Sequence, residues 1–103
     1  MPVDERTKQP YGRLHGGANV TLAEELGSLG ANMLLDSNEA FAVGMEINAN
    51  HLRGVTSGQV TGTARPVHIG RNTQVWEIRI VDDSGQLACI SRLTVAVVQK
   101  KKL

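Results

Sequence analysis

The feature that most constrains this sequence is a change of period at Asp36-Ser37-Asn38. Before that break, Leu22, Leu26, Leu29 and Met33 recur at i, i+4, i+7 and i+11, one apolar stripe of a helix running from Gly16-Gly17 to Asp36. Ala23, Gly27 and Gly30 line a flank of that stripe. Glycine costs a helix up to about 1 kcal/mol relative to alanine, so a pair of them implies that something packs close against the backbone. After the break the period is two. Phe41, Val43, Met45, Ile47 and Ala49 alternate with Ala42, Gly44, Glu46, Asn48 and Asn50, the pattern of a half-buried strand. A second strand is expected from about Gln59 to Val67. A third runs from about Thr73 to Val81, with Val75 on one face and Trp76, Ile78 and Ile80 on the other. Asp82-Asp83-Ser84-Gly85 is a strong turn signal. Beyond it, Gln86 to Val98 carries Leu87, Cys89, Leu93, Val95 and Val97 on one face. The connections are too short for parallel crossovers. The expected class is therefore α+β: one helix wrapped by an antiparallel sheet. Such a sheet leaves edges to be covered, and a dimer that continues it would do so.

At 103 residues the chain reads as a single domain, 1–103, small enough for oligomerisation to be a common supplement to its core. A formal net charge of +1 gives no electrostatic reason to propose nucleic acid as a partner. The one basic run, Lys100-Lys101-Lys102, reads as a solvated tail rather than a membrane or phosphate patch. No apolar run approaches the roughly 18 residues of a membrane span, and the first residues lack the apolar region of a secretory signal. Cys89 is the sole cysteine, so no intrachain disulfide is possible; it reads as a small buried hydrophobe, and a reducing cytoplasm fits.

Candidate chemistry gathers at the start of the helix. The first N–H groups of a helix have no internal partner and carry the positive end of its dipole. Gly16-Gly17 would let a ligand approach them closely, making an oxyanion or carbonyl-polarising site, although the pair also serves simply as a tight turn. Glu24 stands beside the small-residue flank, with Ser28 four residues on along the same face. Most helical glutamates only face solvent; this one borders a surface where backbones pack. Gly16 and Glu24 are eight residues apart, about 12 Å along an α-helix. One substrate carbonyl cannot comfortably meet both on the same helix. Two antiparallel helices related by a twofold axis remove that difficulty and create two equivalent sites. His15, His51 and His68 lie in separate segments without a cysteine cluster, so no metal site is expected. His51 is in phase with its strand's apolar face and reads by default as a core or rim residue. Arg53, Arg65 and Arg71 fall at strand ends or turns, where guanidinium groups meet phosphates or, more often, only water. Nucleophile-elbow, P-loop and dinucleotide fingerprints do not occur.

Gln9-Pro10-Tyr11-Gly12 with Leu14-His15-Gly16-Gly17-Ala18, then Leu22-Ala23-Glu24 and Gly27-Ser28, resembles the hotdog-fold acyl-CoA thioesterases of the PaaI-like, 4-hydroxybenzoyl-CoA thioesterase type. Within that group it is most similar to the branch acting on 1,4-dihydroxy-2-naphthoyl-CoA and in enterobactin-pathway proofreading. Gly44 to Arg53, Pro66 to Arg71 through Trp76, and Ser91-Arg92-Leu93 extend the match over nearly the whole chain. The resemblance implies a hotdog fold, acyl-CoA as substrate, a homodimer or dimer of dimers, and no cofactor or metal. It implies that Glu24 is the nucleophile or general base, that Gly16 donates its N–H to the thioester carbonyl, and that Gln9 and His15 orient the thioester. Ser28 would assist near the carboxylate and the attacking water. Gly44, His51, Leu52, Arg53, Gly54, His68, Ile69, Gly70, Arg71, Asn72 and Thr73 would contact the acyl group or the CoA nucleotide. In the family the carboxylate and the Gly/Gln/His set come from opposite subunits, as the spacing argument requires. Family members usually carry a further helix and the first strand of the sheet ahead of Met1, so this chain is expected to be N-terminally short. Two rival readings remain: an acyl-CoA-binding hotdog protein without turnover, and an enoyl-thioester hydratase or dehydratase.

Overall fold

The computed structural model describes residues 1–100. Helix α1 spans Gly16–Met33, and four strands follow it: β1 Ala40–His51, β2 Thr61–Ile69, β3 Thr73–Val81 and β4 Leu87–Gln99. The strands form one antiparallel sheet in the order β1-β4-β3-β2. The helix packs against all four strands. This is the α+β arrangement expected, with β2–β3–β4 a meander and β1 added beside β4. Ahead of the helix, Val3 is buried and Pro2 bridges Gln59, which ties the N-terminal segment to the residues before β2.

The helix does not bury the stripe anticipated from its leucines. Asn19, Ala23, Gly27 and Ala31 are the buried positions, whereas Leu29 and Met33 are 56% and 83% exposed. Leu22 and Leu26 are half-buried at the side of the core. The flank of small residues is thus the centre of the interface. The reason is the size of what comes up from the sheet. A methyl group on Gly27 would stand 2.6 Å from Leu93 Cδ2, and one on Gly30 would stand 2.7 Å from the Trp76 ring. Trp76, Ile78, Ile80, Leu93 and Val95 fill the space the helix leaves vacant. The indole N–H of Trp76 donates to Gln74 Oε1 at 2.9 Å, so the two large polar groups in that layer satisfy each other.

Strand β1 also departs from strict alternation. A bulge between Gly44 and Glu46 inserts Met45 without a partner opposite it on β4. The phase changes there. Phe41, Val43 and Met45 point outward, 39%, 44% and 64% exposed, while Ala42 on one side of the bulge and Ile47 and Ala49 on the other pack against the core. Placing Phe41, Val43 and Met45 on the buried face with Ile47 is therefore corrected. On its far side β1 is a free edge among the described residues, except that Asn32 Oδ1 accepts the Ala42 N–H at 2.9 Å.

Candidate active site

The segment before α1 is folded so that one backbone donor is left bare. His15 is the N-cap, extended at φ −65° and ψ 133°, and its Nδ1 accepts the Gly17 N–H at 2.9 Å. Its carbonyl accepts from Ala18 and Asn19. Gly17, Ala18 and Asn19 are thereby satisfied; among the described residues nothing accepts the Gly16 N–H. His51, at the end of β1, closes over this glycine: a Cβ there would lie 3.1 Å from His51 Nε2. Gln9 is half-buried nearby and its Oε1 accepts the Tyr11 N–H. These groups line a pocket of about 270 Å³ together with Arg13, Leu14, Asn19 and the Leu52–Gly54 segment. Arg53 at its rim pairs with Asp82 at 3.3 Å. Asp82 is held below the usual carboxylate range, chiefly by the Ser84 hydroxyl and the Gln86 N–H, with Arg53 contributing less.

Glu24 opens elsewhere. Its exposed carboxylate stands over Gly44, where a Cβ would come within 3.1 Å of Oε2. With Thr21, Ser28, Leu29 and Asn32 these two residues line a second pocket of about 390 Å³. The two pockets share no residue. The structure therefore separates the expected site residues, with Gln9 and Gly16 beside His51 to Gly54 in one pocket, His15 next to it as the helix cap, and Glu24, Ser28 and Gly44 in the other. His68 to Thr73 join neither. They form the tight β2–β3 turn, in which the Gly70 N–H donates to the Thr73 carbonyl at 2.8 Å and Asn72 accepts from Val97.

An open depression of about 570 Å³ lies on the outer face of β2 and β3 around Thr63, Arg65, Glu77, Arg79 and Val81. Glu77 and Arg79 there pair with one another at 2.7 Å. Cys89 is buried, and burial pushes its thiol up, away from reactivity. Among the described residues, no three of the histidines, cysteines and carboxylates come together as a metal site, and no helix is long and apolar enough to cross a membrane. Sequence reasoning did not single out Asn19, Arg13 or Asn32. For Asn19 a signal existed: it begins the row 19, 23, 27, 31, whose other members are alanine or glycine.

A single helix sheathed by a four-stranded antiparallel sheet is the arrangement of the hotdog-fold thioesterases. The chain belongs to the thioesterase superfamily, whose family model matches residues 11–89. It is 55% identical over 97 residues to the 1,4-dihydroxy-2-naphthoyl-CoA hydrolase of Escherichia coli, covering 94% of this chain and 71% of that protein. Similarity to the proofreading thioesterase EntH of Cronobacter turicensis is 53% over 97 residues, covering 94% and 70%. The crystal structure of a Haemophilus influenzae thioesterase superimposes with a TM-score of 0.93 at 52% identity, covering 96% of this chain and 68% of that one. The chain spans 68% and 64% of the length of two further curated relatives, from Pseudomonas aeruginosa and Vibrio cholerae.

Proposed function

We propose that this protein hydrolyses acyl-CoA thioesters, with an aromatic or related acyl group, at a site completed by a second copy of the chain. The observation that carries the reading is the unpartnered Gly16 N–H in one pocket and Glu24 in another. Each is half of a hydrolytic site, and neither suffices alone. The open edge of β1 offers the way to join them. If β1 pairs antiparallel with its symmetry mate about a twofold at Ile47 or Asn48, with Met45 left out of the register as it is against β4, His51 of one strand lies opposite Ala42 or Gly44 of the other. The cleft over Gly16 then meets the cleft over Glu24 of the mate, strands being about 4.8 Å apart.

In the joined site the Gly16 N–H, backed by the helix dipole, polarises the thioester carbonyl. Glu24 of the mate attacks the carbonyl carbon or takes a proton from the attacking water. The C–S bond breaks and CoA leaves as its thiolate. When water attacks, the acyl group is released directly as the carboxylic acid. When Glu24 attacks, water then hydrolyses the resulting anhydride to release the acid and restore the carboxylate. Ser28 stands where it would hold that water, while Gln9 and His15 orient the thioester. Gly44, His51 to Gly54 and His68 to Thr73 contact the acyl group or the nucleotide, and neither metal nor cofactor takes part. A dimer or dimer of dimers in a reducing cytoplasm suits this scheme.

Two inactive variants test it. Gly16→Pro removes the N–H at a first helical position that suits proline, with His15 already extended, and Gly16→Ala, which puts a Cβ against His51 but keeps the N–H, is its control. Glu24→Gln removes the carboxylate. Refolded together, they should recover about a quarter of wild-type thiol release, because half the dimers would be mixed and each would hold one intact site. A mixture no more active than its parents would refute the shared site, and wild-type protein that releases no thiol from any aromatic or aliphatic acyl-CoA would refute the activity.

A further inference from the structure

Asn19 occupies a position that packing does not explain. It heads the row that faces the sheet, where Ala23, Gly27 and Ala31 follow at the same spacing, and it is 4% exposed. Its Oδ1 is buried and has no hydrogen-bond partner. A buried acceptor without a donor is unfavourable, and apolar replacements of similar shape remove that penalty. An alanine or leucine would suit such a row better; where a local rule is broken without structural compensation, function is the usual reason. Asn19 also lines the pocket that holds the bare Gly16 N–H, His51 and the guanidinium groups of Arg13 and Arg53.

We propose that Asn19 is a positioning residue for the thiol side of the substrate, its side-chain oxygen accepting the amide N–H next to the sulfur in the pantetheine arm. The assignment rests on the hydrolase reading above, which fixes the thioester carbonyl at Gly16. Asn19 lies three residues further along, about 4.5 Å up the helix axis. In a pantetheine thioester the first amide nitrogen follows the sulfur by two methylene groups, a comparable reach. The charge of the pocket decides which end of the substrate lies there. Two arginines beside the cleft suit the phosphates of CoA, whereas the acyl group is left to the cleft with Glu24, Leu29 and Gly44.

The experiment compares a benzoyl thioester of N-acetylcysteamine, which keeps the amide, with benzoyl S-butyl thioester, which has the chain but no amide. Wild-type protein is expected to favour the first by about tenfold in kcat/KM, the usual worth of one hydrogen bond that is satisfied only in the complex. Asn19→Leu should abolish that preference, lowering kcat/KM on the N-acetylcysteamine thioester by about tenfold more than on the S-butyl thioester, and unfold at the same temperature or higher. Asn19→Ser, a shorter acceptor, should restore part of the preference. Absence of a preference in the wild type, or equal losses on both substrates in Asn19→Leu, would overturn the assignment while leaving the hydrolase reading intact. No turnover of either thioester or of benzoyl-CoA by the wild type would overturn both.

Discussion

The side of α1 that faces the sheet and the side that faces the open edge of β1 are composed by different rules. On the first, Ala23, Gly27, Gly30 and Ala31 are small, and Leu93 and Ile78 come up against Gly27 as Trp76 does against Gly30. On the second, Thr21, Glu24, Ser28 and Asn32 are polar and line an open cleft. Volume governs one face; chemistry governs the other. The contrast shows why a helix with two interior glycines persists here: the propensity they forfeit is offset by the apolar surface that close approach buries.

The contrast can be broken by mutation. Glu24→Gln, on the chemical face, should reduce kcat by about 10²–10⁴-fold, as expected for loss of an acid–base or nucleophilic carboxylate. Its thermal midpoint should stay at the wild-type value, because the side chain is exposed. Steady-state thiol release and a thermal melt on the same preparation check both halves, and a variant that melts early would place Glu24 among the structural residues. Gly27→Ala, on the packing face, should behave in the opposite sense. A new methyl group 2.6 Å from Leu93 Cδ2 forces repacking that costs about 1–3 kcal/mol, more than the roughly 1 kcal/mol gained in helix propensity. Urea denaturation should show a lower midpoint with kcat per folded molecule preserved. A stabilised Gly27→Ala would mean that the sheet can retreat and that volume does not govern that face.

Asn32→Ala sharpens the division with the smallest change. Asn32 sits on the polar face, yet its Nδ2 donates to the Ser28 carbonyl and its Oδ1 accepts the Ala42 N–H, both at 2.9 Å. Loss of that bridge should cost about 0.5–1.5 kcal/mol in denaturant unfolding. It would also free the one β1 donor that the helix occupies. Unchanged stability would assign Asn32 to the cleft alone.

Element order and most of the core were legible in the sequence because the period of Thr73–Val81 is unbroken and that of β4 is regular from Cys89 to Val97, each with one buried face. Strand β1 read less well. Its alternation looks complete in the sequence, since Phe41, Val43, Met45 and Ile47 are all apolar, and nothing local marks the bulge apart from Gly44. The helix misled in another way. Large apolar side chains usually mark the buried stripe, but here the partner supplies the bulk and the helix supplies the space. As for the candidate site, Gly16 and Glu24 are put forward by helix-end electrostatics and spacing together with the family resemblance. Asn19 escaped because only coordinates reveal that its acceptor is unanswered. The His68–Thr73 turn was placed by resemblance alone, and within one protomer it borders neither cleft.

Met45, the residue of β1 with nothing across from it, acts as a spacer in the arithmetic of the strand. It lets Gly44 turn toward Glu24 while His51, seven positions on, still turns toward Gly16. Without that extra residue an odd separation would leave the two on opposite sides of the ribbon. Shortening the strand by a single codon would thus set one half of the site facing away from the helix, with every remaining side chain intact.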